Sequence, residues 1–172
     1  MSDAAAALPM AATAVRLSRI VDALDTNLYG DVHGGAIMRF IDEAAGVAAC
    51  RFMGGQMSTV AVDSMQFVSP VHTGDVITCD AQVNWTGRTS CEVGVRVTAQ
   101  SWEQRADTAR HVATAYLVFV AIGSDQRPRA VPSVVPESDD DRRRMREAEI
   151  RRQSRQERRR AIERSRDEHT SG

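Results

Sequence analysis

The chain has no lysine, few cysteines and no long apolar segment. All 22 of its basic residues are arginine, which we interpret as a bias in codon usage rather than as chemistry. The three cysteines, Cys50, Cys79 and Cys91, form no CxxC motif, so we expect neither a disulfide framework nor a zinc site, and a reducing compartment is favoured. No apolar run approaches the roughly 20 residues that span a bilayer.

The Ala-rich start of the chain has no basic region of the kind that opens a secretory signal. We therefore expect a cytoplasmic protein with no membrane partner. A length of 172 residues fits one domain with a tail.

Charge is unevenly distributed along the chain. Residues 1–136 carry 10 Arg and 13 acids, whereas residues 137–172 carry 12 Arg and 10 acids. We predict a flexible N-terminus over residues 1–13, a globular domain over residues 14–136, and a charged Arg-rich tail over residues 137–172 that is helical or disordered.

The tail has a local net charge of +8 between Arg142 and Arg166. Such a run could bind nucleic acid or another anionic surface. It lacks interleaved aromatic residues and a sustained heptad seam, however, so a solvated helix or a disordered tail is the competing interpretation, and nucleic acid is not the expected partner.

One helix is predicted within the domain, from Gly34 to about Met53. Ile37, Ile41, Ala44 and Ala48 recur at helical spacing on one face, and Gly54-Gly55 end the helix. Strand-like alternation covers five further segments: residues 14–23, 57–69, 76–85, 91–100 and 111–123. This order predicts an α+β fold with an antiparallel sheet of four or five strands, whose edges dimerisation could cover.

The stretch NLYGDVHGGAIMRFIDEAAG, residues 27–46, raises a chemical question. Glycine disfavours a helix interior by about 1 kcal/mol relative to alanine, yet Gly34 and Gly35 open this helix. Their missing side chains could let a ligand oxygen approach the free N–H groups of the first turn. On the residues alone, a glycine turn without a ligand and a solvated Asp42 are the favoured interpretations.

Four motifs in order resemble those of the hotdog-fold acyl-CoA thioesterases, in the branch of the cytosolic acyl-CoA hydrolases. They are NLYGDVHGGAIMRFIDEAAG, STVAVDSMQFVSPVHTGD, GRTS followed by EVGVRV, and ATAYLVFVAI followed by AVP. The resemblance spans roughly Val15 to Pro132. It implies a five-stranded antiparallel sheet wrapped around one long central helix, homodimers that assemble as trimers of dimers, and hydrolysis of fatty acyl-CoA to a free acid and CoA. No cofactor is implied, because CoA is part of the substrate.

The resemblance also assigns residues to roles. Asp42 matches the helix acid that serves as general base or nucleophile, whereas the neighbouring Glu43 is expected to be structural. The helix N-terminus at Gly34 and Gly35 is the expected oxyanion hole, with Gly35 as the catalytic glycine. Asn27 matches a loop residue contributed by the other subunit, with a simple turn-forming role as its alternative. Substrate-binding positions are His33, Gly34, Thr59, Ser64, Gly87, Arg88 and Ser90; of these, His33 is more readily structural, and Thr59 and Ser64 match only loosely.

Two other functions remain in view. A non-catalytic acyl-CoA-binding hotdog sensor, with a basic tail that engages nucleic acid or a partner, would share the fold but could dispense with Asp42. A hotdog dehydratase usually pairs a histidine with the helix acid, and the helix carries none after its glycines. No metal site is expected, because His72 and His111 are isolated.

Overall fold

The computed structural model describes residues 7–103 and 108–170, with side chains up to residue 167. Helix α1 spans Gly34–Met53. His33 caps its start, and Gly54 ends it in the left-handed conformation, with φ of 67°, which glycine adopts without steric cost. Its buried face consists of Ile37, Phe40, Ile41, Ala44, Ala45, Gly46, Ala48, Ala49, Phe52 and Met53, so the predicted helix and its small-residue face are confirmed.

The main sheet has five antiparallel strands. They are β2 (Val15–Ile20), β3 (Met57–Phe67), β4 (Asp75–Thr86), β5 (Ser90–Ser101) and β6 (Arg110–Ala121). Their order across the sheet is β2-β4-β5-β6-β3, so β3 is an edge strand. Helix α1 contacts every one of these strands, which confirms the expected α+β architecture of one helix against a five-stranded antiparallel sheet.

The two faces of the sheet differ in chemistry. One face is a continuous apolar layer under α1, in which Ile77, Cys79, Val93, Val95 and Leu117 are almost completely buried. The other, outer face carries polar side chains, among them Asn84, Glu92 and Tyr116. Alternation along each strand produces this division, because neighbouring side chains point to opposite faces.

The N-terminal segment is more ordered than the sequence predicts. Residues 1–6 lie outside the described part of the chain, but β1 (Leu8–Pro9) pairs in parallel with β7 (Val134–Val135). A 3-10 turn over Met10–Thr13 follows β1 and buries Met10 completely. The prediction of flexibility up to residue 13 is therefore wrong for Leu8–Thr13, because the Ala-rich composition hides the two buried side chains, Met10 and Thr13, that anchor the segment.

Helix α2 (Asp139–Thr170) crosses the outer face of the sheet. Arg144 donates to Gln82 in β4 at 3.1 Å, Arg151 donates to Glu92 in β5 at 2.7 Å, and Arg155 pairs with Asp63 in β3. Ala148 in α2 is itself fully buried. The first half of the tail is thus a packed element, which differs from a solvated or disordered tail.

None of the helices in the described ranges is long and apolar enough to cross a membrane.

Candidate active site

At the start of α1, two neighbouring backbone N–H groups differ in whether a side chain accepts a hydrogen bond from them. His33 Nδ1 accepts a hydrogen bond from Gly35 N–H at 3.1 Å, a normal N-cap arrangement. A Cβ on Gly35 would lie 3.3 Å from that ring nitrogen, so Gly35 makes room for the cap. No acceptor in the described part of the chain bonds Gly34 N–H, and a Cβ at Gly34 would meet only the Phe67 ring, at 4.0 Å.

These contacts bear on the predicted roles of three residues. Of the two glycines of the predicted oxyanion hole, Gly35 has its N–H bonded to His33, whereas Gly34 N–H is unbonded within the described part of the chain. His33 has the structural role that the sequence favoured. The free N–H at Gly34 also lies at the positive end of the helix dipole, so a developing negative charge is favoured there.

Asn27 shapes the loop that precedes the helix. Its side-chain oxygen accepts from Tyr29 N–H at 2.8 Å and from Asp31 N–H at 3.3 Å, which is an Asx turn. The turn-forming role is therefore real, and it uses the oxygen only, so the amide nitrogen keeps its two donor hydrogens.

Asn27 and Gly34 line one open cleft of about 420 Å³, which we call the helix-start cleft. Its other lining residues are Asp31, Val32, Ile37, Phe67, Val68, Ser69, Pro70 and Val71. Sequence reasoning missed Phe67 and Val68, which are exposed apolar residues at the end of β3. The sequence feature that could have indicated these two residues is a pair of apolar side chains shortly before Pro70.

Asp42 lies away from this cleft, with Thr59. The Thr59 hydroxyl donates to Asp42 Oδ1 at 3.0 Å, and the carboxylate is otherwise exposed. We call this pair the acid pair. It gives Thr59, matched only loosely from sequence, a defined contact with the predicted acid. Glu43 pairs instead with Arg39, at 2.9 Å, as an exposed i,i+4 ion pair.

The acid pair and the helix-start cleft are too far apart to act together within one chain. Eight residues separate Gly34 from Asp42, which corresponds to a rise of about 12 Å along the helix axis. A reacting carbonyl must lie about 3 Å from both its oxyanion donors and its nucleophile. Within one chain, the acid pair and the helix-start cleft therefore lie apart, near opposite ends of β3, which Thr59 and Phe67 mark.

The hairpin between β4 and β5 lies at the same end of the sheet as the acid pair. Ser90, which opens β5, pairs with Val120 in β6, and Val120 pairs with Ser58, next to Thr59 in β3. Arg88 is exposed there and is able to bind a phosphate. Position 87 favours glycine for a steric reason, because a Cβ there would come within 2.7 Å of the Trp85 ring. Ser64 is exposed on β3 and makes no contact with the acid pair.

Apart from the exposed thiol of Cys50, the cysteine and histidine side chains near the sheet are buried or hydrogen-bonded. Burial raises the pKa of the Cys79 and Cys91 thiols to about 12, so neither is a nucleophile at neutral pH. His72 bonds Asp31 at 2.8 Å, and His111 bonds the Thr114 hydroxyl at 2.9 Å. Within the described ranges, no three His, Cys, Asp or Glu residues converge as a metal site would require.

A larger cleft, of about 750 Å³, lies on the outer face beside α2. None of the predicted site residues lines it, so its size alone does not mark it as the reactive site.

Comparisons with known proteins show which family this chain resembles. A family model described as the thioesterase superfamily matches residues 29–104. A Bacillus subtilis protein named as an uncharacterized acyl-CoA thioester hydrolase is 34% identical over 127 residues, which cover 74% of this chain and 72% of that protein. The mouse cytosolic acyl coenzyme A thioester hydrolase is 32% identical over 131 residues, or 76% of this chain, but the match spans only 34% of the mouse protein's length.

Solved structures agree with these relatives. The acyl-CoA hydrolase of Staphylococcus aureus, in complex with butyryl-CoA, CoA and CoA disulfide, superposes with a TM-score of 0.83 at 31% identity, covering 91% of this chain and 94% of that one. Alanine variants of the same enzyme at an asparagine, an aspartate and a threonine are also similar. A hexameric acyl-CoA thioesterase matches with a TM-score of 0.84 at 29% identity, over 89% of this chain and 97% of its own.

The identity, the coverage and the shared fold lead to one conclusion: this chain belongs to the thioesterase superfamily, among the relatives named acyl-CoA thioester hydrolases.

Proposed function

We propose that the chain is an acyl-CoA thioesterase, which hydrolyses fatty acyl-CoA to a fatty acid and CoA. The observation that carries this proposal is the pairing of Asp42 with Thr59 together with the unengaged Gly34 donor. Asn27, Asp42 and Thr59 are separated by 15 and 17 residues. The three positions replaced by alanine in the similar S. aureus enzyme have the same separations.

Two copies of the chain complete each site. β3 is an edge strand with exposed Val60, Val62 and Phe67, and such an edge invites pairing with another strand. If two β3 strands pair antiparallel about their middle, the acid pair of one copy meets the helix-start cleft of the other. The 12 Å gap within one chain is then bridged, and a dimer contains two equivalent sites.

The chemistry follows from these groups. The thioester oxygen accepts from Gly34 N–H, and each oxyanion donor of this type contributes about 3 kcal/mol to transition-state stabilisation. Asp42, oriented by Thr59, acts as general base on water or as nucleophile. As general base it takes a proton from water, the hydroxide oxygen bonds the carbonyl carbon, the C–S bond breaks, and the proton passes to the CoA thiolate.

Other residues hold the substrate. The Asn27 amide nitrogen donates to the carbonyl or to the attacking water, and Arg88 binds a phosphate of CoA at the rim. The reaction needs no separate cofactor. The hexameric relatives support a trimer of dimers, and the relatives named cytosolic support a cytoplasmic location.

Thiol release from a panel of acyl-CoA chain lengths tests the proposal. We expect turnover by the wild type and a loss of at least about 100-fold in kcat for Asp42→Ala. Glu43→Ala is the matched control, because it removes the adjacent exposed acid from the same helix and leaves turnover close to wild type.

Two results would contradict the proposal. Full activity of Asp42→Ala would remove Asp42 from the mechanism. Binding of acyl-CoA by the wild type without any thiol release would favour the non-catalytic sensor instead.

A further inference from the structure

Helix α2 is longer than the surface beneath it. Between Arg144, which contacts β4, and Arg155, which contacts β3, the helix rises by about 16 Å. Three strand spacings of about 4.8 Å span a similar distance. The helix thus crosses the sheet nearly perpendicular to its strands, and its last contact with the sheet is on the edge strand.

The helix nevertheless continues for 15 residues to Thr170, or about 22 Å beyond that edge. Side chains of residues 156–167, which we call the projecting segment, are all exposed. Most helical stability in proteins comes from packing of one face. The exposed Arg159–Glu163 pair, at 2.8 Å, adds little to helix stability, so packing on a further surface would stabilise a segment of this length.

The face of α2 that packs on the sheet continues into the projecting segment. Ile162 lies two turns after Arg155 and therefore points to the same side of the helix. It is 45% exposed, so the described part of the chain leaves almost half of this apolar side chain uncovered. Ile150, by contrast, follows the buried Ala148 by two residues, points away from the sheet and is 62% exposed.

We propose that the projecting segment is an intersubunit clamp, which packs on the outer face of a second copy of this chain. This inference rests on the homo-oligomer of the proposed function. A second copy joined at β3 extends the sheet past that edge, and 22 Å is enough to cover about four strands of it. Asp63, near the middle of β3, brings α2 close to the two-fold axis, so the two α2 helices run antiparallel there and each clamps the other copy.

The clamp is tested by substitution in the full-length chain. We expect Ile162→Glu to raise the protein concentration at which the oligomer dissociates by about 10-fold in sedimentation velocity over a dilution series. Ile150→Glu is the matched control: the same substitution, on the same helix, at a more exposed isoleucine that faces away from the sheet, leaves dissociation unchanged. A chain ending after Arg155 keeps every contact of α2 with its own sheet, and we expect it to dissociate at least as readily as Ile162→Glu.

Equal dissociation of the wild type, Ile162→Glu and the shortened chain would overturn the clamp, as would a wild type that is monomeric throughout the dilution series. The same samples are assayed for thiol release. A wild type that releases no thiol, yet forms an oligomer that Ile162→Glu weakens, removes the hydrolase and leaves the clamp in place.

Discussion

At the scale of single residues, one arginine fixes the loop that carries Asn27. Arg19 in β2 donates twice to Asp25, at 2.7 and 3.0 Å, and lies over the Phe40 ring of α1 at 5.3 Å. The Asp25 carbonyl in turn accepts from His33 N–H at 2.7 Å. Strand, loop and helix start are therefore connected through one ion pair, which sets where the loop meets the helix.

Replacing this arginine tests that connection. We expect Arg19→Met to lower the free energy of unfolding by about 1–2 kcal/mol in urea titrations, because it removes a two-bonded, partly buried ion pair. Arg16→Met is the control. Arg16 is in the same strand and pairs with Asp80, but its side chain is 73% exposed, against 35% for Arg19, so no resolvable change in stability is expected.

The same pair gives this variant a pH dependence. The Arg19 hydrogen bonds hold the pKa of Asp25 below its ordinary value of 3.8. A lowered pKa in the folded state means that the stabilisation is complete above that value and is lost as the pH falls through the lowered pKa. The difference between wild type and Arg19→Met should therefore disappear in acid, and a difference that persists after Asp25 is protonated would contradict the ion-pair explanation.

Residue roles could be predicted only where a local pattern determines them. The cap by His33 and the turn at Asn27 depend on neighbours two to four residues away, so the sequence indicates them. Gly34 keeps an unbonded N–H because the His33 ring accepts its hydrogen bond from Gly35, and the sequence pattern does not indicate which of the two N–H groups the ring bonds. Thr59 and Asp42 are 17 positions apart in the sequence, so their contact could be identified only from the folded structure.

At the scale of elements, α1 and the five strands follow from periodicity, because each has one apolar face. Helix α2 follows no such pattern. It binds the outer face of the sheet through arginine side chains rather than apolar ones: Arg151 lies 3.5 Å from the centre of the Tyr116 ring, and Arg152 lies 5.0 Å from that of Trp85. The aliphatic stems and planar guanidinium groups of arginine pack on aromatic rings. A hydropathy scale scores arginine only as a charged residue, so it does not detect this packing.

One ion pair anchors this helix to the polar face. Glu92 is buried and accepts from Arg151 at 2.7 Å and from Asn84 at 3.3 Å. We expect Arg151→Met to lower the free energy of unfolding by about 3 kcal/mol, because it leaves a buried carboxylate without its countercharge. Arg142→Met removes an exposed pair with Asp139 from the same helix and should change stability by less than about 0.5 kcal/mol.

Chemical denaturation of both variants measures the difference. Equal, small effects would mean that the Arg151–Glu92 pair does not anchor α2, and that the helix is held by its aromatic contacts instead.

At the scale of the whole molecule, the separation of the acid pair from the helix-start cleft is the main fact. Periodicity predicts that Gly34 and Asp42 share a helix, but the rise of about 12 Å between them shows that a shared helix is not a shared site. In the proposed dimer, pairing of two chains brings these groups together, and sequence patterns within one chain carry no direct record of which groups meet across an interface. The position of β3 at the edge of the sheet indicates where the second chain pairs in the proposed dimer.

Mixed oligomers provide the sharpest test of a site shared between copies. Asp42→Ala and Asn27→Ala disable different halves, so a dimer containing one of each has one site with both defects and one intact site. Random mixing at equal amounts makes half of the dimers mixed, and we expect recovery of about a quarter of wild-type thiol release from two variants that are each nearly inactive alone. Asp42→Ala mixed with Thr59→Ala is the control, because both disable the acid pair and every site in a mixed dimer keeps a defect. Recovery in neither mixture would mean that each chain holds a complete site, whereas recovery in the first mixture alone requires Asn27 of one copy to serve Asp42 of the other.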